Sequence, residues 1–137
     1  MIAFAAKQNW GYPAEWMAEW RGELTVTPEY IRNHPVFVAK KAGRIVGFFG
    51  LKSSKDGWHL EHLWLRPAYI GRGLGRALFV KAVQQARIEG VTELQIKSDP
   101  NAEQFYLKMG AVRTGQEKYL LLGRFRREVP LLTYSIR

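Results

Sequence analysis

Between Arg66 and Leu78 the chain reads Arg-Pro-Ala-Tyr-Ile-Gly-Arg-Gly-Leu-Gly-Arg-Ala-Leu, three glycines and three arginines in thirteen residues. Gly71, Gly73 and Gly75 carry no Cβ atoms, so an anion can come close to their main-chain N–H groups. Arg72 and Arg76 add positive charge beside them. An apolar, alternating run precedes the stretch and an amphipathic, helix-period run follows it. The glycines therefore sit at a strand-to-helix junction, where a helix N-terminus offers free N–H groups and a favourable dipole. The chemistry that follows is the holding of a phosphate or pyrophosphate. The spacing is not the dinucleotide-binding fingerprint, whose third glycine would fall on Arg76 or Leu78, and no Gly-Lys-Ser/Thr ending of a P-loop is present. On spacing alone the segment reads equally well as a tight turn with incidental arginines.

A second stretch, His59-Leu60-Glu61-His62, invites a metal reading. On a strand, His59 and His62 are expected on opposite faces, where they cannot share an ion. The chain has no cysteine. That rules out thiolate zinc sites, a Cys nucleophile and the Cys-x-x-Cys half of the zinc deaminase signature. No metal is expected.

These residues need a frame to position them. Residues 2–8 read as the end of a short helix. Pro13 to Glu23 is a helix with Pro in its first turn and Trp16, Met17 and Trp20 at helical spacing. Thr27 caps a further short helix that begins at Pro28. The period then changes to strands over 36–40, 45–51 and 58–65, joined by polar turns. Leu74 to Ile88 places Leu74, Leu78, Phe79, Ala82, Val83 and Ala86 on one helical face. A strand over 92–97, a helix over 101–109 and two strands over roughly 111–122 and 128–136 complete the chain. The prediction is an α/β (α+β) domain: a mixed, twisted sheet flanked by helices, with the strands on either side of helix 74–88 parallel and linked by a right-handed crossover.

The length of 137 residues fits one domain, and residues 1–137 contain no linker, repeat or low-complexity tract. No apolar run approaches the roughly 18 residues of a membrane helix, and the first residues do not form a signal peptide, so a cytoplasmic protein without a membrane partner is expected. The net charge is +9 and unevenly spread: residues 1–38 carry a net −1 and residues 39–137 a net +10. A basic body points to an anionic partner. Nucleic acid is disfavoured, because no helix-turn-helix, RNP or zinc pattern appears.

The glycine stretch, following its strand, resembles the acyl-CoA-binding signature of the GNAT N-acetyltransferase superfamily, commonly Arg/Gln-x-x-Gly-x-Gly/Ala. Its fixed positions fall on Ile70, Gly73 and Gly75, with Ile70 standing where the family usually has Arg or Gln. Ser98 to Ala111, read SDPNAEQFYLKMGA, is similar to a second family motif, in which an Asn and a Phe-Tyr pair precede a glycine step. The ending from Gly123 to Leu132 resembles the terminal strand of bacterial members. The resemblance covers about residues 8–137. It implies the GNAT acyltransferase fold with its first strand either missing or reduced to a stub at Ile2–Ala6.

The resemblance also implies transfer of an acetyl group from acetyl-CoA to an amine by direct attack. Pantetheine would lie along Leu63, Trp64 and Leu65. The pyrophosphate would sit on Ile70, Gly71, Arg72, Gly73, Leu74, Gly75 and Arg76, with Asn101 and Phe105 completing the coenzyme site. Tyr106 stands where family members commonly carry the acid that protonates the thiolate. Glu61, expected on the same strand face as His59, Leu63 and Leu65, would be the base, directly or through water. A backbone N–H near Leu63 would polarise the acetyl oxygen. Trp10, Tyr12 and Trp16 would wall the acceptor pocket, and the acidic N-terminal segment suits a cationic acceptor. A small-molecule or peptide amine, and a homodimer, are compatible with the family. The alternative is a CoA-binding domain without catalysis, which would keep the glycine loop but have no need of Tyr106 or Glu61.

Overall fold

The computed structural model describes residues 2–137. Helices α1 (Ile2–Gln8), α2 (Ala14–Trp20) and α3 (Pro28–Asn33) come first. Strands β1 (Val36–Lys41), β2 (Arg44–Ser54) and β3 (Gly57–Leu65) follow. Then come α4 (Leu74–Ile88), β4 (Glu93–Lys97), α5 (Glu103–Lys108), β5 (Val112–Leu121) and β6 (Phe125–Ser135). The strands form one sheet in the order β1-β2-β3-β4-β6-β5. Every neighbouring pair is antiparallel except β3 and β4, which run parallel on either side of α4. Residues Ile2–Ala6, offered above as a strand stub, are helical instead. The helix expected over 101–109 opens with a 3-10 turn at Pro100–Ala102 and becomes α-helical from Glu103.

Local chemistry explains the boundaries. Thr27 accepts a hydrogen bond from the Tyr30 N–H and Pro28 occupies the first turn of α3, a position where its missing N–H costs nothing. The two-residue turn Ala42-Gly43 closes the β1–β2 hairpin and the three-residue loop Leu122-Gly123-Arg124 closes β5–β6; Ala42, Gly43, Leu122 and Gly123 all have positive φ, the backbone that tight hairpin turns require. The apolar stripe of α4 buries Leu78, Phe79, Ala82, Val83 and Ala86.

The sheet is covered on both faces. On one, α4 and α5 pack over Phe49, Leu51, Leu60, Leu94, Ile96 and Leu132. On the other, α1, α2 and the turn after α2 bring Ala3, Met17, Trp20 and Leu24 against Phe48 and Leu121. Leu94 is 0% exposed at the centre of the first layer. Leu94→Ala is expected to cost about 2–5 kcal/mol, read as a lowered urea midpoint with unchanged slope; an unmoved midpoint would refute this packing.

Candidate active site

Strands β3 and β4 pair only at Trp58↔Leu94 and His59↔Gln95, after which they part while β3 runs on to Leu65. One edge of Leu63, Trp64 and Leu65 stays paired with Phe49, Phe48 and Gly47 of β2. The edge facing β4 has no strand partner, leaving an extended backbone able to bond an elongated polar ligand. Beyond it, Gly71 and Gly73 have φ of +83° and +80°, and a Cβ at either would meet nothing within 4 Å. Left-handed backbone, not crowding, calls for glycine there. Gly73 caps α4 without a side-chain bond, and the first backbone bond runs from the Ala77 N–H to the Gly73 carbonyl, 3.2 Å. The N–H groups of Leu74, Gly75 and Arg76 are thus left outside the helical ladder. Gly75 has a different reason: a Cβ would stand 3.3 Å from the Phe105 ring and 3.7 Å from Leu65. Arg72 lies 5.5 Å from the Tyr69 ring centroid, and the Ile70 side chain is exposed.

The strand carrying Glu61 is not regular. Gly50 pairs with His62 and Leu51 with Leu60, so Glu61 is the extra residue of a β-bulge. A bulge resets the alternation of faces. Leu60, Leu63 and Leu65 all pack toward the α4 core, whereas Trp64 packs with the α1–α2 layer. Two expectations are corrected. Glu61 does not share a face with Leu63 and Leu65, and His59 and His62 are not on opposite sides. His59, Glu61 and His62 instead line a common cavity of about 640 Å³ on the α1–α2 side, with Lys7, Trp20, Asp99 and Arg127 among the other walls. Glu61 lies 3.9 Å from Lys52. His59 meets Ser54 Oγ at 3.2 Å. Among the described residues no group of three or more His, Asp or Glu could hold a metal.

His62 is 6% exposed. Its Nδ1 accepts a hydrogen bond from Trp64 Nε1, 3.0 Å, which places the ring proton of the neutral form on Nε2. The Tyr30 ring stands edge-on at 5.5 Å, and the Tyr30 hydroxyl is buried without a partner. Burial lowers the His62 pKa, and Glu61 pulls only partly the other way.

Asp99 is the second centre. Its side chain is 5% exposed. It accepts from the Tyr12 hydroxyl (3.0 Å) and from the Asn101 N–H (2.8 Å) and Nδ2 (2.9 Å), with Lys7 Nζ at 3.8 Å. Asn101 Nδ2 also donates to Tyr12, 3.0 Å. The side-chain donors of Asn101 are thus turned toward Tyr12 and Asp99. Burial lowers the Lys7 pKa despite Asp99 and Glu23, and its ammonium sits 3.7 Å from the Trp20 ring centroid. For Arg127, burial disfavours the charge but hydrogen bonds with Tyr12 and Tyr119 outweigh it, and its pKa is raised. Tyr12 and Trp16 stack on each other and pack against Trp20, while Trp10 tilts against Trp64. Of the four aromatics Trp20 lines the cavity; Trp10, Tyr12 and Trp16 form the layer behind it.

Tyr106 lies on the opposite side of the sheet, packed edge-on against Phe79 (6.0 Å) and Phe105 (5.2 Å). Burial pushes its phenol well above the ordinary value. Glu61 and Tyr106 are therefore on opposite faces, with the β3–β4 opening between them. Sequence reasoning gave Asp99, Lys7 and Trp20 no role at the site and weighed His62 only as a metal ligand. Only Asp99, inside the stretch Ser98 to Ala111, carried a positional signal.

A histidine whose pKa is lowered by folding binds fewer protons in the native state, so its contribution to stability is present above the unfolded value of 6.5 and is lost as pH falls through the folded one. Stability should therefore decline from about pH 6.5 downward, and His62→Asn should flatten that part of the curve. Denaturant titrations at stepped pH check it; an identical slope in both proteins would show that His62 is not its source.

Residues 14–120 match the family model for the Acetyltransferase (GNAT) domain. A glucosamine 6-phosphate N-acetyltransferase of Trypanosoma brucei brucei is 33% identical over 82 residues, covering 55% of this chain and 56% of that protein. The N-acetyltransferase family 8 member 3 of Mus musculus is 28% identical over 123 residues, 81% of this chain and 54% of that protein. The chain thus spans about half the length of the curated relatives it matches. A GCN5-related N-acetyltransferase from Rhodopseudomonas palustris superposes with a TM-score of 0.80 at 22% identity, covering 97% of this chain and 84% of that one. The PaiA N-acetyltransferase from Thermoplasma acidophilum, solved with coenzyme A, gives 0.80 at 17% identity over 98% of this chain and 88% of that one. No helix among the described residues is long and apolar enough to cross a membrane. With the family model matched over most of its length, and with parallel strands parting above an uncapped glycine loop, the chain belongs to the GNAT acetyltransferase family.

Proposed function

We propose that the protein is an N-acetyltransferase that moves an acetyl group from acetyl-CoA to a primary amine by direct attack. The observation that carries this reading is the parting of β3 and β4 directly before the left-handed glycines at the head of α4. An open strand edge suits the amide-bearing pantetheine arm, and the free N–H groups of the loop suit a pyrophosphate. The bound coenzyme would supply an activated thioester. Leu63, Trp64 and Leu65 hold the arm by their backbone. The loop from Ile70 to Arg76 holds the phosphates through main-chain N–H groups, with Arg72 and Arg76 adding charge, so the apolar Ile70 side chain is no obstacle.

The placement of Glu61 and Tyr106 on opposite faces suits the two proton transfers. An acceptor in the 640 Å³ cavity approaches the opening from the Glu61 side. Glu61 then takes the ammonium proton, directly or through water, and frees the nitrogen lone pair. A backbone N–H of β3 near Leu63 stabilises the developing oxyanion. The sulfur leaves toward the α4–α5 side, where Tyr106 donates to it. With its pKa raised by burial, Tyr106 holds its proton until thiolate charge develops and then passes it to the departing sulfur as the general acid. The acceptor is an amine small enough for the cavity, free or at the end of a peptide.

Millimolar acetyl-CoA is expected to raise the melting temperature, and an amine panel read by free-thiol release should reveal turnover. No thermal shift would sink the coenzyme claim. A shift with no thiol from any amine would leave a coenzyme-binding domain without catalysis. Tyr106→Phe should lower kcat by about 10²-fold with little change in acetyl-CoA affinity; unchanged turnover would remove Tyr106 from the mechanism. Gly73→Val forces a β-branched residue into left-handed backbone at about 1–2 kcal/mol, and should abolish coenzyme binding while circular dichroism stays native.

A further inference from the structure

Arg127 stands apart from the other cations of the cavity. Lys97 is paired with Glu117 at 3.0 Å and Lys7 with Asp99 at 3.8 Å. No carboxylate lies within 4.0 Å of Arg127 among the described residues. Its guanidinium carbon is held 5.1 Å, 5.4 Å and 5.4 Å from the ring centroids of Tyr12, Trp16 and Trp20. One Nη donates to Tyr12 at 3.3 Å, while Nε–H is buried with no partner. A guanidinium offers five donors in a fixed fork shaped for a carboxylate or phosphate. Here Tyr12 and Tyr119 take part of the fork, and the rest, the buried Nε–H included, is left for another partner. The aromatic rings fix its position and remove water from it, conditions under which a partner anion is held most strongly.

A second cation stands close by. Lys7 and Arg127 share the walls made by Tyr12 and Trp20. Asp99 is the buried carboxylate of that corner, and its oxygens are already taken by Tyr12, Asn101 and Lys7. Glu23 also acts on Lys7, which leaves Arg127 as the cation of that corner with no carboxylate of its own among the described residues. Glu19, Glu23 and Glu61 line the same cavity, the first two exposed at its mouth. Such a lining draws an amine and resists an anion that lacks one.

We propose that the acceptor is a small zwitterion: an amine that also bears an oxyanion, a carboxylate or a phosphate, which seats on Arg127 with Lys7 beside it while the amine faces Glu61. This rests on the acetyltransferase reading above and names the substrate class of the same site. The cavity's 640 Å³ is within the usual range for a small-molecule pocket. Arg127 is a specificity residue here and takes no part in proton transfer.

The test compares amines matched except for the anion: 2-aminoethyl phosphate against ethanolamine, and β-alanine against propylamine. Calorimetry is run with the protein saturated in CoA, so that the glycine loop cannot take the phosphate, and thiol release is followed in parallel. Wild-type protein should bind and turn over at least one anionic member about ten- to a hundredfold better than its neutral partner, and the better anion identifies carboxylate or phosphate as the source. Arg127→Met should abolish that preference, chiefly through KM, and Arg127→Lys, which keeps the charge but not the fork, should restore part of it. Equal treatment of both pairs by the wild type, or a preference that survives in Arg127→Met, overturns the proposal. If Arg127→Met does not fold, the wild-type comparison and Arg127→Lys still decide. Failure of the acetyltransferase reading looks different: no thermal response to acetyl-CoA and no thiol from any amine, whatever its charge.

Discussion

The structure depends on one interruption in its hydrogen bonding. Parallel strands normally keep their ladder as long as both continue, because a buried backbone group without a partner is costly. Here β3 and β4 pair at Trp58↔Leu94 and His59↔Gln95 and then separate. The edge of β3 at Leu63, Trp64 and Leu65 is held from the other side by β2. β4 remains fastened to β6 from Glu93↔Ser135 to Lys97↔Leu131. Each half of the sheet is thus secured by its own antiparallel neighbour. The opening between them can persist as a fixed feature without unravelling the sheet.

The bulge at Glu61 is the second consequence of the same geometry. It lies just where β3 is leaving β4, and a bulge adds twist to the strand that carries it. By shifting the alternation by one residue it lets Leu60 and Leu63 both enter the α4 core. It also turns Glu61 and His62 to a cavity that neighbouring residues on a regular strand would not both face. Charge placement on that side is equally constrained. Asp99 is nearly closed to solvent and its oxygens are met by donors from three segments, Tyr12 after α1, Lys7 in α1 and Asn101 ahead of α5. The N-terminal helices and the turn that follows β4 are therefore joined by polar contacts as well as by the aromatic stack of Tyr12, Trp16 and Trp20.

Much of the fold was legible in the chain because its signals are local. The stripe from Leu74 to Ile88 marks α4 at its observed ends, and the alternating run to Leu65 marks the end of β3. Gly71 and Gly73 announce a strained loop because only glycine adopts that backbone without penalty. Other features were not legible. A bulge has no residue signature at Glu61, since the extra residue is defined by its opposition to Gly50 and Leu51 on another strand. Alternation alone therefore placed Glu61 with Leu63 and Leu65, and His62 opposite His59, incorrectly. Likewise Trp10, Tyr12 and Trp16 were recognisable as aromatics near the acceptor side. Which aromatic reaches the cavity, Trp20, depends on how α2 rotates against Phe48 and Leu121.

By itself the sequence determined the order of elements, the glycine loop at the head of a helix, the absence of thiol chemistry and the family pattern that unites them. All of these are set by neighbours within a few positions along the chain, where periodicity, turn chemistry and charge act directly. Only the tertiary structure decided which faces the side chains occupy after the bulge, which partners close around Asp99 and His62, and that Arg127 is left without a counter-ion among the described residues. Those outcomes join residues as far apart as Tyr12 and Arg127, and burial and pairing at such separations are settled by packing of the whole sheet.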